Sequence, residues 1–558
     1  MTDRSDIDSG AGGIRWNWWK IGVLLVLLFA VAAAFNAFNI GISKKIGRLS
    51  TITNYDDVVY LNTGSSFYFE WKRGSPAVAL KAFLVTDTHS PVMVLGATLG
   101  YFAFGFSYIK VYHALTMVVF AFLVFVAIVG RRLPPLYLGS LLLASLALPF
   151  ATMCALEFRP DPLWAVILGG SCVLFLGSRN AFARWSASVW FGVGFGMALL
   201  TKPSTFAMTI LVFGGTWFLA AVIAKGGRRA SFRQISLGLL VTIATVLVTS
   251  GWYCLPHARE TYDYFYQNSF GENKDVWLFP GTFWDRMMFY ISGPSLQSNL
   301  GWLILPLLGF YIYGAVRDLV WPSELADRLR GASFLWMLGC LYLVNGAFTM
   351  KSPFLGGSFY GFVIFGGLWY LVQNLTRFAQ QEREMIPAIR RRLKGVTAAS
   401  MISIAWVGHD FPKVSLVNEE MAGNQKTINQ ALVKDLLRNA KSSKVSLVLT
   451  QGNPVVQEFL RMEFRRRNLP VVIENCAMTR TKDAIIATAN QMRFVVLQDQ
   501  KLVGSPITYA IPAEKFQPEL LAYFRNAPGW KPVATYPTRT GEHVYLFEHD
   551  PAGSGTSN

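Results

Sequence analysis

Residues 21–42 read IGVLLVLLFAVAAAFNAFNIGI, a run of 22 residues in which no side chain carries a charge. About 20 consecutive apolar residues are enough to cross the hydrocarbon core of a bilayer as a helix. In lipid only a helix or a closed barrel satisfies every backbone polar group, and this run is too long and too uniformly apolar for a barrel strand. Comparable runs recur along the chain. We therefore predict a polytopic α-helical membrane protein with about eleven transmembrane helices.

The composition agrees with this prediction. Hydrophobic residues make up 53% of the chain and charged residues 15%, and the mean hydropathy is +0.35. A soluble domain normally has about a quarter of its residues charged.

The first apolar run is also longer than the apolar core of a cleaved signal peptide, usually 7–15 residues, so we interpret it as an uncleaved first span.

The net charge of +18 would fit a nucleic-acid partner, but the distribution of the basic residues argues against one. They cluster in short loops that are separated by pairs of spans, as the excess of Lys and Arg in cytoplasmic loops predicts. With a cytoplasmic N-terminus the following residues share that face: Arg131 and Arg132; Arg179 and Arg184; Lys225, Arg228, Arg229 and Arg233; Arg317, Arg328 and Arg330; Arg390, Arg391, Arg392 and Lys394. We therefore expect a multi-pass protein of the inner (cytoplasmic) membrane with membrane lipids around it and no nucleic acid bound.

The chain divides into three predicted parts. Residues 1–408 form a transmembrane domain, with external loop helices at about 47–106 and 253–292. Within it, residues 134–153 are predicted to form one span, and residues 92–106 a short re-entrant or interfacial helix. Residues 409–550 form a soluble extracytoplasmic domain, because apolar segments at 445–450, 471–474 and 493–498 alternate with helical segments, which is typical of βαβ units. Residues 551–558 are expected to be a disordered tail.

Charged residues at the membrane surface are the candidates for chemistry, because an ionised group near lipid is costly unless it is paired or used. The external loops carry Asp56 and Asp57 after the first span, Asp161 after the third, and Lys202 between the fifth and sixth. A carboxylate could remove a proton from an acceptor hydroxyl, and cations could stabilise a departing phosphate. Taken singly, each residue is more often an ordinary solvated or helix-end side chain.

These elements, in their order, resemble the GT-C superfamily of lipid-linked-sugar glycosyltransferases, in particular the group related to protein O-mannosyltransferases and aminoarabinose transferase. The acidic motif of the first external loop is similar to Tyr55-Asp56-Asp57-Val58-Val59-Tyr60. Three further elements are similar as well: Asp87-Thr88-His89-Ser90-Pro91, where the family often has a second proline at position 90, Arg159-Pro160-Asp161, and Thr201-Lys202-Pro203.

The resemblance implies an inverting transfer of a sugar from a polyprenyl-phosphate donor to an acceptor of the cell envelope. It makes Asp56 or Asp57 the general base and Lys202 the ligand of the donor phosphate. It places Asp87, His89, Arg159, Asp161 and Lys351 around the substrate cavity. Some relatives bind a divalent cation near the first-loop acid, so a metal site stays open here.

Two other functions are compatible with the sequence. A transporter or flippase of lipid-linked or envelope substrates would more often show charges within spans, discontinuous helices or inverted repeats, and few charges lie within these spans. A non-catalytic anchor for the soluble domain would not need about eleven spans.

Overall fold

The computed structural model describes residues 18–51, 57–86, 89–178, 181–225, 229–274, 276, 278–279, 281–292, 301–351, 353–381, 387–407, 419–440, 445–450, 455–499, 511–538 and 541–549. Asp56, Asp87 and the tail 551–558 therefore lie outside the described residues. So does most of the predicted boundary between the two domains, at 408–418.

The N-terminal part is helical. Its helices are α1 (Trp18–Ile46), α2 (Asp57–Arg73), α3 (Pro76–Val85), α4 (Pro91–Phe104), α5 (Thr116–Val129), α6 (Pro135–Leu146), α7 (Pro149–Leu156), α8 (Pro160–Leu176), α9 (Trp185–Thr201), α10 (Phe206–Lys225), α11 (Arg229–Val246), α12 (Trp252–Cys254), α13 (Ala258–Ser269), α14 (Phe283–Met288), α15 (Ile304–Val320), α16 (Leu325–Ala347), α17 (Gly357–Gln381) and α18 (Pro387–Val407). They enclose one continuous apolar core that runs from α1 to α17.

Four helices are long and apolar enough to cross a membrane, in the part of the chain that the structure describes: Trp18–Ile46, Lys110–Val129, Pro203–Ile223 and Phe232–Cys254. Shorter apolar helices, such as α8 and α9, pack among them. The polytopic helical class is confirmed, whereas the number of about eleven spans remains a prediction.

Residues 134–153, predicted as one span, are divided into two helices, a pair that can still form one bent span. α6 and α7 meet at an angle of 66°. Pro149 is the first residue of α7, and a proline disfavours helical conformation in the residue before it. The bend brings the end of α7 and the following residues 157–159 toward α1 and α2.

Two glycines allow close packing in the centre of the bundle. α8 lies against α17, and a Cβ atom built on Gly169 would lie 3.1 Å from the backbone of Gly361, while one built on Gly361 would lie 2.9 Å from Ala165. Small residues at such a crossing let two backbones approach closely. This packing holds α8, and hence its first turn, in a fixed position.

The C-terminal part is an α/β unit. Its elements are α19 (Glu419–Ala440), β1 (Val445–Leu449), α20 (Gln457–Arg466), β2 (Val471–Asn475), α21 (Lys482–Ala489), β3 (Phe494–Gln498), α22 (Gln517–Asn526), β4 (Trp530–Pro537) and β5 (His543–His549). The sheet is mixed, with strand order β2-β1-β3-β5-β4. β1 pairs in parallel with β2 and β3, and β5 is antiparallel to both of its neighbours. The small C-terminal sheet domain is thus confirmed.

Candidate active site

The first-loop acid Asp57 is the first residue of α2 and is fully buried. Its Oδ2 atom lies 2.9 Å from Nη2 of Arg48 and accepts hydrogen bonds from the Tyr112 hydroxyl (2.7 Å) and the Phe158 amide (2.9 Å). Its Oδ1 atom accepts from Nε of Arg159 at 3.1 Å. One carboxylate therefore joins the start of α2 to three other segments, which carry Arg48, Tyr112 and the pair Phe158 and Arg159.

These contacts set the protonation of Asp57. Burial by itself would raise its pKa, but the positive charges of Arg48 and Arg159, with the bonds from Tyr112 and Phe158, outweigh burial and lower the pKa. A carboxylate with a lowered pKa, three hydrogen-bond donors and an additional ion pair with Arg48 is a weak proton acceptor. The geometry suits an anchor that holds two guanidinium groups better than it suits a base.

Glu157 is a site residue that the sequence reasoning did not select. Its Oε1 atom lies 3.2 Å from Nη1 of Arg48, so Arg48 bridges Glu157 and Asp57. Its Oε2 atom is buried without a hydrogen-bond partner among the described residues. Burial raises the pKa of Glu157, and the nearby charges of Arg48 and Arg159 offset this only in part. Its position in the sequence could have indicated this role, because Glu157 lies two residues before Arg159 in the same loop as Asp161.

A second ion pair lies a few residues further along. Lys202, directly after α9, places Nζ 2.5 Å from Oδ1 of Asp161, in the first turn of α8. The Lys202 side chain is 16% exposed and that of Asp161 is 7% exposed. Two residues selected separately from the sequence are thus brought together, and the Lys202 charge has a counter-ion before any ligand binds.

The motif that precedes α4 contacts the segment that carries Lys202. The Ser90 hydroxyl, which caps the N-terminus of α4, donates a 2.6 Å hydrogen bond to the carbonyl of Thr201, the residue before Lys202. His89, by contrast, is exposed, and its ring centroid lies 4.2 Å from that of Tyr264 on α13. The motif therefore contacts the Lys202 segment through Ser90, while His89 packs against a later loop helix.

Lys351, also predicted for the cavity, is buried beyond the end of α16. Its ammonium group donates to the carbonyl oxygens of Asn345 and Gly346, in the latter case at 3.0 Å, and lies 4.9 Å from the Tyr290 ring centroid. Burial lowers its pKa to about 8, and the charge of Arg286 adds to this effect. These contacts cap the C-terminus of α16, where a cation is favourable. They give Lys351 a structural role at the end of this helix.

The question of a metal stays open. The residues that the structure describes contain no group of three or more His, Cys, Asp or Glu side chains arranged to hold a metal ion. Asp56 and Asp87, both near the first-loop motif in the sequence, lie outside those residues.

Comparison with known proteins shows which solved structures share the fold of this chain. No protein-family model and no curated protein matches the chain. The crystal structure of ArnT from Cupriavidus metallidurans in the apo state aligns over 94% of this chain and 98% of that one, with a TM-score of 0.56 and 13% sequence identity. ArnT bound to undecaprenyl phosphate gives the same coverage, with a TM-score of 0.54 and 12% identity.

The apo oligosaccharyltransferase of Archaeoglobus fulgidus aligns over 95% of this chain and 75% of that one, at 13% identity, with a TM-score of only 0.48. The two ArnT structures suffice to define the fold. The chain is a membrane protein with the GT-C fold, and the resemblance drawn from its sequence motifs is confirmed at the level of the fold.

Proposed function

We propose that the protein is a glycosyltransferase that moves a sugar from a polyprenyl-phosphate donor to an acceptor of the cell envelope, with inversion at the anomeric carbon. The observation that carries the proposal is the clustering of Asp57, Arg159, Asp161 and Lys202 in a fold shared with ArnT, a protein known in complex with undecaprenyl phosphate. With Arg48 and Glu157, which are paired with each other beside Asp57, the described part of the site holds one lysine, two arginines and three carboxylates. The cations suit a reaction in which negative charge develops on a phosphate.

In the proposed reaction the acceptor hydroxyl oxygen attacks the anomeric carbon from the face opposite the phosphate. The bond from that carbon to the phosphate oxygen breaks, and its electron pair stays on the polyprenyl phosphate. The hydroxyl proton passes to a carboxylate of the first external loop. We assign this role to Asp56, because all described contacts of Asp57 bind it to Arg48, Tyr112, Phe158 and Arg159.

Lys202 is the proposed ligand of the donor phosphate. Its side chain is partly exposed and its ammonium group is held in place by Asp161, so a phosphate could gain a charge-assisted hydrogen bond without the lysine having to be ordered first. Arg159 would add positive charge from the other side of Pro160. Asp87, His89 and Lys351 are the proposed lining residues of the wider substrate cavity. A divalent cation could also bind near the first-loop acid.

The proposal includes an orientation. The first loop, the Asp161 loop and the C-terminal domain would lie on the extracytoplasmic side of the cytoplasmic membrane, with the N-terminus inside, as the distribution of basic residues predicts. Cysteine labelling of single sites from outside intact cells tests it, with a site near Arg131 as the internal control.

Native mass spectrometry of the purified protein, followed by a transfer assay with its lipid, tests the function. A retained polyprenyl phosphate or its sugar ester supports the donor class, and sugar transfer that the Asp56→Asn variant lacks supports the enzyme. A transporter would move the lipid or solute without transferring sugar, and a non-catalytic anchor would do neither.

A further inference from the structure

A second charged region lies where the C-terminal domain meets α2. Nη1 of Arg465, on α20, donates to the carbonyl oxygen (2.9 Å) and side-chain oxygen (2.7 Å) of Asn62 and to the Ser65 hydroxyl (2.8 Å). The side-chain amide of Asn62 donates in turn to Glu458. Arg73, at the other end of α2, donates to the Arg465 carbonyl at 3.0 Å. The two domains are thus joined by polar contacts that include guanidinium groups from both.

A cavity of about 610 Å³ opens beside these contacts. Arg73 lines it from α2, and Arg461 and Arg465 line it from α20. Glu474, exposed on β2, is the only acidic residue of its described lining. The lining residues therefore carry more positive than negative charge, and we name this cavity with its three arginines the junction cleft.

The cations of the junction cleft are only partly compensated within the protein. Arg461 donates to Glu458 (3.0 Å) and to the Ile473 carbonyl (2.9 Å). Arg465 makes all its described hydrogen bonds through Nη1, which leaves Nε and Nη2 without a partner among the described residues. Burial lowers the pKa of Arg465, and the charge of Arg461 adds to this effect, while the attraction of Glu458 and Glu70 opposes it. An anion in the cleft would relieve the repulsion between these guanidinium groups.

The junction cleft continues toward an apolar surface. A neighbouring cavity of about 460 Å³ shares Arg73 and Arg465 with it and reaches Gly74 and Val78 at the start of α3. α3 exposes large apolar side chains, among them Leu80 (58% exposed) and Val85 (70% exposed). A helix with an exposed apolar surface can lie against lipid, with its apolar side in the acyl boundary. With α3 in that position, the arginines would border on the level of the lipid headgroups.

We propose that the junction cleft binds the phosphate of an anionic bilayer lipid. Arg73 from the transmembrane domain and Arg461 and Arg465 from the C-terminal domain would contact the headgroup, and the acyl chains would lie along α3. A phosphate has the geometry that guanidinium groups recognise through paired hydrogen bonds. Such a lipid would link α2, whose first residue is Asp57, to the C-terminal domain. This site is separate from the ion pairs of the proposed active site and does not depend on the proposed function.

The test uses the full chain purified in neutral detergent, with native mass spectrometry after addition of phosphatidylglycerol or phosphatidylcholine. We expect the protein to bind phosphatidylglycerol in preference, and the Arg73→Gln/Arg461→Gln variant to lose about tenfold or more of that affinity. Lys72→Gln is the matched control, because Lys72 lies 4.9 Å from the Tyr68 ring centroid and does not line the cleft. It should bind phosphatidylglycerol like the unmodified protein.

Two results would overturn the proposal. One is an unchanged preference for phosphatidylglycerol in the double variant and also in the single Arg73→Gln variant. The single variant separates a loss of lipid binding from misfolding, because the Arg73 side chain is exposed. The other is binding of inorganic phosphate at the same arginines with no gain from a diacyl lipid, which would make the cleft a site for a soluble anion.

Discussion

Asp57 and Arg159, 102 positions apart in the chain, form a buried ion pair with Nε and Oδ1 3.1 Å apart. The pair fixes the start of α2 against the residue that precedes α8. It therefore couples the first-loop acid to the loop that carries Asp161.

Asp57→Asn should destabilise the protein. The substitution removes the negative charge that compensates both Arg48 and Arg159, and leaving buried charges unpaired costs about 3–5 kcal/mol. The midpoint of thermal unfolding in detergent should fall clearly, together with any transferase activity. An Asp57→Asn variant with an unchanged midpoint would show that the ion pairs do not stabilise the fold.

Asp56→Asn should behave in the opposite way. If Asp56 is the general base, the variant should fold with an unchanged unfolding midpoint and lose about 10²–10⁴-fold in kcat. Sugar transfer from a polyprenyl-phosphate donor measures this, with the donor's Kd as the control. Full activity in Asp56→Asn would remove Asp56 from the mechanism.

Lys202→Gln should weaken binding of the donor phosphate. A hydrogen bond to a charged group contributes about 1.5–3 kcal/mol, which corresponds to about a 10–100-fold rise in the donor's Kd. Titration with polyprenyl phosphate in nanodiscs measures it. Lys351→Gln is the comparison, since the described contacts of Lys351 are with backbone carbonyls and an aromatic ring; it should lower stability with little change in this Kd. Equal effects of the two variants on Kd would contradict the assignment of Lys202.

Glu157→Gln should show a stability difference that depends on pH. The folded-state pKa of Glu157 is raised above the ordinary carboxyl value, so ionising this residue is penalised in the folded protein, and that penalty grows as pH rises from the ordinary carboxyl pKa through the folded value. Glutamine cannot ionise. The unfolding midpoint of the variant minus that of the unmodified protein should therefore become more positive between pH 4 and pH 8.

Thermal unfolding across that pH range measures the difference. Glu463→Gln is the control, because Glu463 is paired with Arg466 and Arg467 on the surface of α20. A difference that becomes more negative with pH would mean that Arg48 stabilises the Glu157 anion more strongly than burial opposes it.

Arg465→Met should loosen the contact between the two domains. The variant loses three hydrogen bonds to α2, whereas Arg466→Met removes only a pair with Glu463 on the same helix. Limited proteolysis should separate the C-terminal domain faster in Arg465→Met alone. Identical cleavage rates would show that these bonds do not hold the domains together.

Some elements followed from local sequence. The apolar runs marked the helices of the bundle because their length matches the bilayer, and the strands β1, β2 and β3 lie close to the predicted segments. β4 was not predicted, because Trp530–Pro537 contains two prolines. A proline cannot donate to the strand ladder and is confined to edge strands, and β4 is indeed the edge of the sheet, with an irregular register beside Pro532.

The sequence by itself determined a helical membrane protein with a C-terminal α/β domain, because hydropathy and periodicity are local properties of the chain. It also marked Asp57, Arg159, Asp161 and Lys202. Only the tertiary structure decided which of these meet: Asp57 with two arginines, Asp161 with Lys202, and Glu157 with Arg48. The bend at Pro149 and the close crossing of α8 and α17 position these residues relative to one another. The resulting distances determine which charges pair and how deeply they are buried, and pairing and burial govern the pKa of a carboxylate.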